Sequence, residues 1–322
     1  MQIDKKPVKN ILAVRNDRFG EFLLNVPAFR ALKKSFPGAK LTLVINSNLR
    51  ELAACMEFVD NIIIWENKRH KFSQIIKFSR ELKNSKYDLC VILNPAKEFN
   101  IISFLAGIPM RVGYARKWGF LLTHKLEDKK HLGQKHEIEY NLELAGLAGA
   151  ETKDKSASLN IALRSNILSY LGPEEKLVAI HPWTSDPLKQ WPPESFLELA
   201  KRLSLLPTVK AVIIGGKDEL RKGAQVYHGL GDRIINMTAK TTLTELAGIL
   251  KKCKLLISGD SGPVHLACAV NTPVIAIFRN DLPGKTAKRW GPWQVQSKVI
   301  EKSNLSDISV DEVFNKAKEV LG

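Results

Sequence analysis

Short apolar runs rich in β-branched residues alternate with amphipathic stretches along most of the 322-residue chain. Apolar runs of this kind are typical of parallel strands that are covered by helices on both faces. The series occurs twice. We predict strands at 11–14, 40–45, 61–65 and 88–93, and again at 176–180, 209–216, 233–237, 254–259 and 273–278. Helices are predicted at 22–36, 71–84, 194–205, 218–229, 242–252 and 263–270.

This alternation predicts an α/β fold of two doubly wound, Rossmann-like domains. The chain also exceeds the length at which a single hydrophobic core stops growing. The break at Gly172 and Pro173 makes 165–176 the predicted hinge. The predicted domains are therefore 1–165 and 166–322. Pro27 lies in the early turns of the first predicted helix, so we expect an irregular start there.

Composition adds limits to this architecture. The 44% hydrophobic and 25% charged residues are typical of a globular protein, and no apolar stretch approaches the ~18 residues of a membrane span. The N-terminal residues lack the apolar region of a signal peptide, so we expect a cytoplasmic protein. The four cysteines are scattered among apolar residues, which predicts buried, reduced thiols and no metal site. They are Cys55, Cys90, Cys253 and Cys268.

Net charge is the strongest compositional signal. The chain has 49 Lys+Arg and 33 Asp+Glu, a formal charge of +16, and its first half is the more basic. Such an excess indicates an anionic partner, which could be nucleic acid, an anionic membrane or an acidic substrate; solubility alone is the alternative. No nucleic-acid-binding module is recognisable in the sequence, so we expect no nucleic-acid partner.

The segment LISGDSGPVHLACAV, at 256–270, carries the clearest chemistry. A predicted strand ends there, glycines allow a sharp turn, and Pro263 stands where a helix should begin. Asp260 or Ser261 could cap this helix, whose free amides and dipole would bind a phosphate near His265. A capped helix without a ligand is the structural alternative.

Two other loops follow predicted strands of the second half. In HPWTSDPLKQWPPESF, the hydroxyls of Thr184 and Ser185 and the cation of Lys189 suit a diphosphate, although a lone lysine is more often simply solvated. In GGKDEL, Asp218 and Glu219 could accept hydrogen bonds from ribose hydroxyls. Acids favoured by a helix dipole are the alternative for this third loop.

The first strand of the first half leads into VRNDRFGE, with four charged residues around one glycine. A dinucleotide-binding turn requires G-x-G-x-x-G, which is absent here, so a nicotinamide dehydrogenase is disfavoured. The turn offers carboxylates instead. Its charged residues are Arg15, Asp17, Arg18 and Glu21.

Several segments together resemble one family. They are RNDRFGEFLLNVPAFRALKKSF near the N-terminus, GIPMRVGY, LLTHKL and HEIEYNLELAGLAG in the middle, and HPWTSDPLKQWPPESF and GDSGPVHLACAVNTPVIAIF in the second half. Over nearly its whole length the chain is similar to heptosyltransferase-like glycosyltransferases (glycosyltransferase family 9), which add sugars from nucleotide donors to bacterial lipopolysaccharide core and related glycans.

The resemblance implies a GT-B fold, in which two Rossmann-like domains face each other across an interdomain cleft. It implies an acceptor-binding N-terminal domain, a nucleotide-sugar-binding C-terminal domain, and inverting transfer without a metal or other cofactor. ADP-heptose is the best-known donor of the family. After Phe278, the segment RNDLPGKTAKRWGP stands where the family has a G-P-T turn.

Residue roles carried over from the resemblance are hypotheses. Glu21 falls at the position of the catalytic aspartate and would act as the base, with Asp17 as its rival. Lys189 would stabilise the leaving diphosphate, and acceptor binding is assigned to Arg15, Asp17 and Arg18. The predicted donor-binding residues are Thr184, Ser185, Lys189, Glu219, Thr241, Asp260, Ser261, Gly262 and His265.

The expected partners are a nucleotide-sugar donor and an anionic glycolipid or lipopolysaccharide core acceptor. Peripheral contact with the anionic inner face of the bacterial inner membrane would fit the basic first half. Three alternatives stay open at this point: a non-catalytic nucleotide- or glycan-binding relative, a transferase with another donor, and a nucleotide-sugar epimerase.

Overall fold

The computed structural model describes residues 8–94, 96–161, 175–220 and 231–322. The chain divides into an N-terminal unit, Met1–His131 with Lys135–Ala157, and a C-terminal unit, Leu132–Gln134 with Ser158–Gly322. The predicted boundary between residues 165 and 166 and most of the predicted hinge lie outside the described residues.

The N-terminal unit is built on a parallel sheet in the order β3-β2-β1-β4-β5-β6. Its strands are β1 (Asn10–Val14), β2 (Lys40–Ile45), β3 (Asn61–Ile64), β4 (Leu89–Ile92), β5 (Met110–Tyr114) and β6 (His124–Leu126). Its helices are α1 (Phe19–Leu23), α2 (Val26–Ser35), α3 (Arg50–Ala54), α4 (Phe72–Asn84), α5 (Lys97–Leu105) and α6 (Glu137–Leu147). The chain reverses direction across the sheet between β1 and β4, which pair through Val14 and Ile92. Ligands of doubly wound sheets bind at the carboxyl ends of the strands at such a reversal.

The C-terminal unit repeats this topology in the order β12-β11-β10-β7-β8-β9. Its strands are β7 (Lys176–His181), β8 (Val209–Ile213), β9 (Ile234–Asn236), β10 (Leu255–Gly259), β11 (Val274–Phe278) and β12 (Ser297–Glu301). The helices described are α7 (Pro193–Ser204), α8 (Leu243–Lys252), α9 (Gly262–Ala269), α10 (Ala287–Trp290) and α11 (Val310–Leu321). Here the reversal lies between β7 and β10, which pair through His181 and Ser258.

Each sheet is the centre of its own hydrophobic core. In β1, every residue from Ile11 to Val14 is fully buried, because helices cover both faces of the strand. In the C-terminal unit, Trp191 is fully buried, and its indole Nε1 donates a hydrogen bond to the carbonyl of Ile308 at 3.0 Å. The Phe196 ring meets the Trp191 ring edge-on at a centroid distance of 4.7 Å. These cores fix the strand ends that carry the charged loops.

The structure differs from the sequence-based prediction in the first helix. One helix was expected at 22–36, but α1 and α2 are separate and α2 begins at Val26, with Pro27 in its first turn. Pro27 has no amide hydrogen to donate to a preceding turn, so the helix restarts there. The irregular start expected at Pro27 is therefore confirmed, as a complete break.

Other differences lie at the edges of the sheets. The apolar pattern did not predict β5, β6 or β12, and β12 has only one buried residue, Ile300. The helix expected at 218–229 begins as a short 3₁₀ turn, Lys217–Glu219, and its part from 221 onwards lies outside the described residues.

Candidate active site

The loop after β1 places a buried arginine beside two carboxylates. The Arg15 guanidinium is 4% exposed, donates to the carbonyl of Leu93 at 2.9 Å and lies 2.7 Å from Asp17 Oδ1. Burial opposes the positive charge, but Asp17, Glu137 and Glu21 outweigh it and raise the pKa of Arg15. Arg15 is thus a fixed charge that links the end of β1 to the end of β4.

Glu21 lies on α1, one turn beyond this pair. Its side chain is only 18% exposed, and its nearest cation is the exposed Arg18, with Nε 3.7 Å from Glu21 Oε1. Burial and the like charge of Asp17 raise the pKa of Glu21, while Arg15 and Arg18 act in the opposite direction. A carboxylate with a raised pKa holds a proton more readily, which is the property required of a general base.

Side-chain amides anchor the short helix that carries Glu21. Asn25 Nδ2 donates to the Glu21 carbonyl at 2.7 Å, and the fully buried Asn141 donates to the Leu24 carbonyl at 3.1 Å. Asn141 in turn accepts a hydrogen bond from Lys130 Nζ at 3.0 Å, and Lys130 pairs with Glu137 at 2.6 Å. This buried network, formed by α6 and Lys130, holds the C-terminal end of α1 in place.

Sequence reasoning missed a pair of asparagines at the same edge. Asn94, two residues after the end of β4, donates from Nδ2 to Asn16 Oδ1 at 2.9 Å, and Asn16 donates to the Trp65 carbonyl at 3.0 Å. Both side chains are buried. Each asparagine stands two residues after the last residue of an apolar strand, and this shared position is the signal that could have revealed the pair.

In the C-terminal unit, Lys189 and Asp260 come together. Lys189 ends a 3₁₀ turn, Pro187–Lys189, in the loop after β7, and its Nζ forms an ion pair with Asp260 Oδ2 directly after β10. Both side chains are largely buried. Of the two capping candidates, Asp260 is not the N-cap residue of α9, and its carboxylate pairs with the lysine.

Ser261 occupies the N-cap position of α9, but its side chain makes no capping hydrogen bond. Its Oγ lies 3.0 Å from Nδ1 of His181 and 2.8 Å from Ser258 Oγ. The other ring nitrogen of His181 lies 3.8 Å from Glu219 Oε2, and Glu219 also accepts a hydrogen bond from the Gly216 amide. His181, to which the sequence assigned no role, therefore connects the loops after β8 and β10.

The remaining predicted donor residues lie on loops of the C-terminal unit or at the start of α9. Thr184 packs against Gly259, where an added Cβ would approach Thr184 Cγ2 to 3.1 Å. Ser185 is exposed on its loop, and Thr241 is half-buried just before α8. The loop after β9 is tied to the Gly215 carbonyl through the Ala239 amide at 2.9 Å. Gly262 begins α9 and His265 is buried in its first turn.

Within the described ranges, no group of three or more His, Cys, Asp or Glu side chains could hold a metal ion. In the same part of the chain, no helix combines the length and the apolar character that a membrane crossing needs. None of the four cysteines forms a disulfide in the described part of the chain; Cys55 is half-buried and the others are buried.

Two parallel, doubly wound units of the same strand order are the architecture of a GT-B fold. The chain belongs to glycosyltransferase family 9 (heptosyltransferase), whose model matches residues 75–317. It is therefore an enzyme that transfers sugars, and the resemblance seen in the sequence is confirmed.

Individual relatives agree with this family. A Haemophilus influenzae protein named as a glycosyltransferase is 27% identical over 330 residues, which cover 94% of each chain. Lipooligosaccharide heptosyltransferase 2 of Campylobacter jejuni is 26% identical over 292 residues, covering 89% of this chain and 85% of the relative. The structure of the ADP-heptose lipopolysaccharide heptosyltransferase II of Escherichia coli superposes with a TM-score of 0.82 at 21% identity, covering 97% of this chain and 98% of the other.

Proposed function

We propose that this enzyme transfers heptose from ADP-heptose to a lipopolysaccharide core or a related glycan. The names of the Campylobacter and Escherichia relatives support a heptose donor and a lipopolysaccharide or lipooligosaccharide acceptor. A site that binds a diphosphate does not distinguish one sugar ring from another, so the transfer test is repeated with other nucleotide sugars.

The proposal depends on one observation, the position of the Glu21 carboxylate: it lies on the short helix after β1, is only 18% exposed, and has Arg18 as an ion-pair partner. In the proposed reaction Glu21 accepts the proton of an acceptor hydroxyl. The hydroxyl oxygen then forms a bond to the anomeric carbon, while the bond from that carbon to the diphosphate oxygen breaks and ADP leaves. Attack from the face opposite the leaving group inverts the anomeric configuration. General-base assistance of this kind contributes about 10²–10⁴-fold to rate.

The C-terminal unit supplies the proposed site for the leaving group. A diphosphate would interact with Lys189, with the hydroxyls of Thr184 and Ser185, and with the amides at the start of α9. Charge stabilisation by these groups would make a metal ion unnecessary. Glu219 and Thr241 would then lie toward the ribose and the base of the nucleotide.

We place this activity in the cytoplasm, with peripheral contact between the enzyme and the anionic inner face of the inner membrane. The support is the net charge of +16, which favours approach to an anionic glycolipid surface. In the N-terminal unit, Arg15, Asp17 and Arg18 would take part in acceptor binding.

The test is transfer from ADP-heptose to a truncated core acceptor, followed by mass spectrometry. We expect Glu21→Gln to lower kcat by about 10²–10⁴-fold because the amide cannot accept the proton. Glu21→Asp is the matched control, which keeps the carboxylate and should retain most of the activity. Thermal-shift titration with ADP-heptose should give the same donor affinity for all three proteins.

Several outcomes would contradict the proposal. Unchanged turnover in Glu21→Gln would reject this base, and loss of turnover in Asp17→Asn alone would transfer the role to Asp17. Binding without hydrolysis or transfer of any nucleotide sugar would identify a non-catalytic relative, and isomerisation of a free sugar without an acceptor would identify an epimerase. Retained configuration in the product, or activity abolished by EDTA, would reject inverting, metal-independent transfer.

A further inference from the structure

Three large aromatic side chains are exposed around the connection between β5 and β6. Phe104, Trp118 and Phe120 are 49%, 53% and 71% exposed, and the Trp118 and Phe120 rings stack at 5.8 Å. Arg111 lies between Phe104 and the loop of the other two rings. Its guanidinium lies 5.6 Å from the centre of the Phe104 ring and donates to the carbonyl of Leu121, the residue after Phe120, at 2.9 Å. We call these three residues the aromatic patch. Contiguous exposed apolar surface of this kind marks an interaction site.

The backbone of this loop is held in an unfavourable conformation. Lys117 and Trp118 both have positive φ angles, 48° and 72°, in the left-handed region that non-glycine residues rarely adopt. The buried Asn100 stabilises the turn by donating from Nδ2 to the Lys117 carbonyl at 3.0 Å. Such strain persists where the surrounding structure imposes it, and it is concentrated at functional sites. In this loop it coincides with a tryptophan whose side chain is 53% exposed.

Cations surround the patch. Arg116, Lys117 and Lys125, together with Trp118 and Phe120, line a shallow pocket of about 260 Å³. Arg116 forms an ion pair with Asp128 at 2.6 Å, whereas in the described part of the chain Lys117 and Lys125 form no ion pair. The pocket therefore presents uncompensated positive charge next to exposed aromatic rings.

We propose that the aromatic patch docks on an anionic phospholipid bilayer, with Trp118 and Phe120 inserted at headgroup level and Lys117 and Lys125 bound to lipid phosphates. Tryptophan is enriched at membrane–water interfaces, and apolar groups combined with basic residues give peripheral binding to anionic lipid. This inference rests on the membrane contact of the proposed function and deepens it by assigning a surface and a mode of insertion; it requires neither Glu21 nor a donor.

The experiment is co-sedimentation of the full chain with vesicles of phosphatidylcholine alone or mixed with phosphatidylglycerol. The wild type should bind the anionic vesicles only, and less at high salt. The double variant Trp118→Ala/Phe120→Ala should bind about tenfold or more weakly, since two large apolar side chains no longer insert. Phe72→Ala is the matched control, since Phe72 is 67% exposed on α4 outside the patch, and it should bind as the wild type does. Lys117→Gln and Lys125→Gln should each weaken binding about fivefold.

Insertion has its own readout. Tryptophan fluorescence should be quenched by brominated lipids in the wild type, and Trp118→Phe should lose that quenching while it still binds. Unchanged binding of the double variant, equal loss in Phe72→Ala, or equal binding to neutral vesicles would overturn the proposal. A self-association that disappears in the double variant would also overturn it, since a second copy of the chain would then be the partner. Transfer to a soluble acceptor should be retained in the double variant, which separates this result from the catalytic proposal.

Discussion

The loops after β1 and β7 occupy equivalent positions in two sheets of the same strand order. In each unit a basic residue of this loop reaches the chain that follows the neighbouring strand: Arg15 binds the Leu93 carbonyl after β4, and Lys189 binds Asp260 after β10. Arg15 also pairs with Asp17 of its own loop, so its contact with the neighbouring strand is an additional one, to a backbone carbonyl that is part of the fold. The contact of Lys189 is to a carboxylate, which is an anion whose place another anion can take.

Under the proposed function, this difference would let one architecture support two kinds of chemistry. In the N-terminal unit the cation is buried, and two nearby carboxylates, Asp17 and Glu21, interact with its charge. In the C-terminal unit the cation is paired with one carboxylate beside a helix start. The first arrangement would serve proton acceptance, and the second would serve anion binding.

The largest expected effect concerns stability. Replacing Arg15 with Met should lower the free energy of unfolding by about 3 kcal/mol, because removal of one partner of a buried ion pair leaves the other charge uncompensated. Arg18→Met is the matched control and should cost less than ~1 kcal/mol, since Arg18 is 75% exposed. Denaturant unfolding measures both values. Equal losses of unfolding free energy in the two variants would show that Arg15 stabilises the fold no more than the exposed Arg18 does.

The next effect concerns donor binding. Replacing Lys189 with Met should weaken binding of the nucleotide diphosphate about 10–100-fold, the value expected for a lost charge-assisted hydrogen bond. Isothermal titration with ADP measures it. Lys298→Met is the control. Lys298 lies on the mostly exposed strand β12 and pairs with Glu319 of α11, so its replacement should leave the ADP affinity unchanged. A destabilised protein with unchanged ADP affinity would make Lys189 structural, like Arg15.

The smallest effects concern pH. Because Glu21 must be deprotonated to act as a base and its pKa is raised, the acidic limb of kcat/KM should lie above the ordinary range of a glutamate. Asp17→Asn removes the like charge and should move this limb to lower pH, while Arg18→Gln removes an opposing cation and should move it to higher pH. Each displacement should be under ~1 pH unit, because the Arg18 side chain is exposed and screened by solvent. If the acidic limb moves in neither variant, the group that titrates there is not Glu21.

The raised pKa of Glu21 also predicts how the stability of the fold depends on pH, and this can be measured without any assay of activity. A carboxyl group with a raised folded-state pKa destabilises the fold progressively as pH rises through its ordinary and raised pKa values, and the cost is complete above both. Glu21→Gln removes this cost. The variant should therefore melt higher than the wild type at neutral pH, and the difference should disappear in acid. A lower melting temperature at neutral pH would contradict the assigned shift.

Much of the fold could be predicted because the central strands are uninterrupted apolar runs buried on both faces. Of the edge strands, β3 and β9 were also predicted, but β6 and β12 were not. β12 is mostly exposed and carries Lys298 and Glu301, so its pattern resembles a loop. The sequence identified the loops that carry polar residues, but it did not show which side chains contact each other. The sequence marked Lys189 and Asp260 as separate ligands, and only their positions in space show that they pair. His181 and Asn94 were missed because a single polar residue at a strand end has no distinctive spacing.

The break at Leu24 and Asn25 has a consequence for where the Glu21 carboxylate can be placed. Glu21 lies on a helix of five residues that is anchored by amide side chains and is separate from α2, which packs into the core. Because Phe22 and Leu23 of this helix are fully buried, its direction depends on the core beneath it as well as on the amide groups at its ends. A substitution that repositions the Glu21 carboxylate therefore has to be accommodated by the packing of Phe22 against Phe29 of α2.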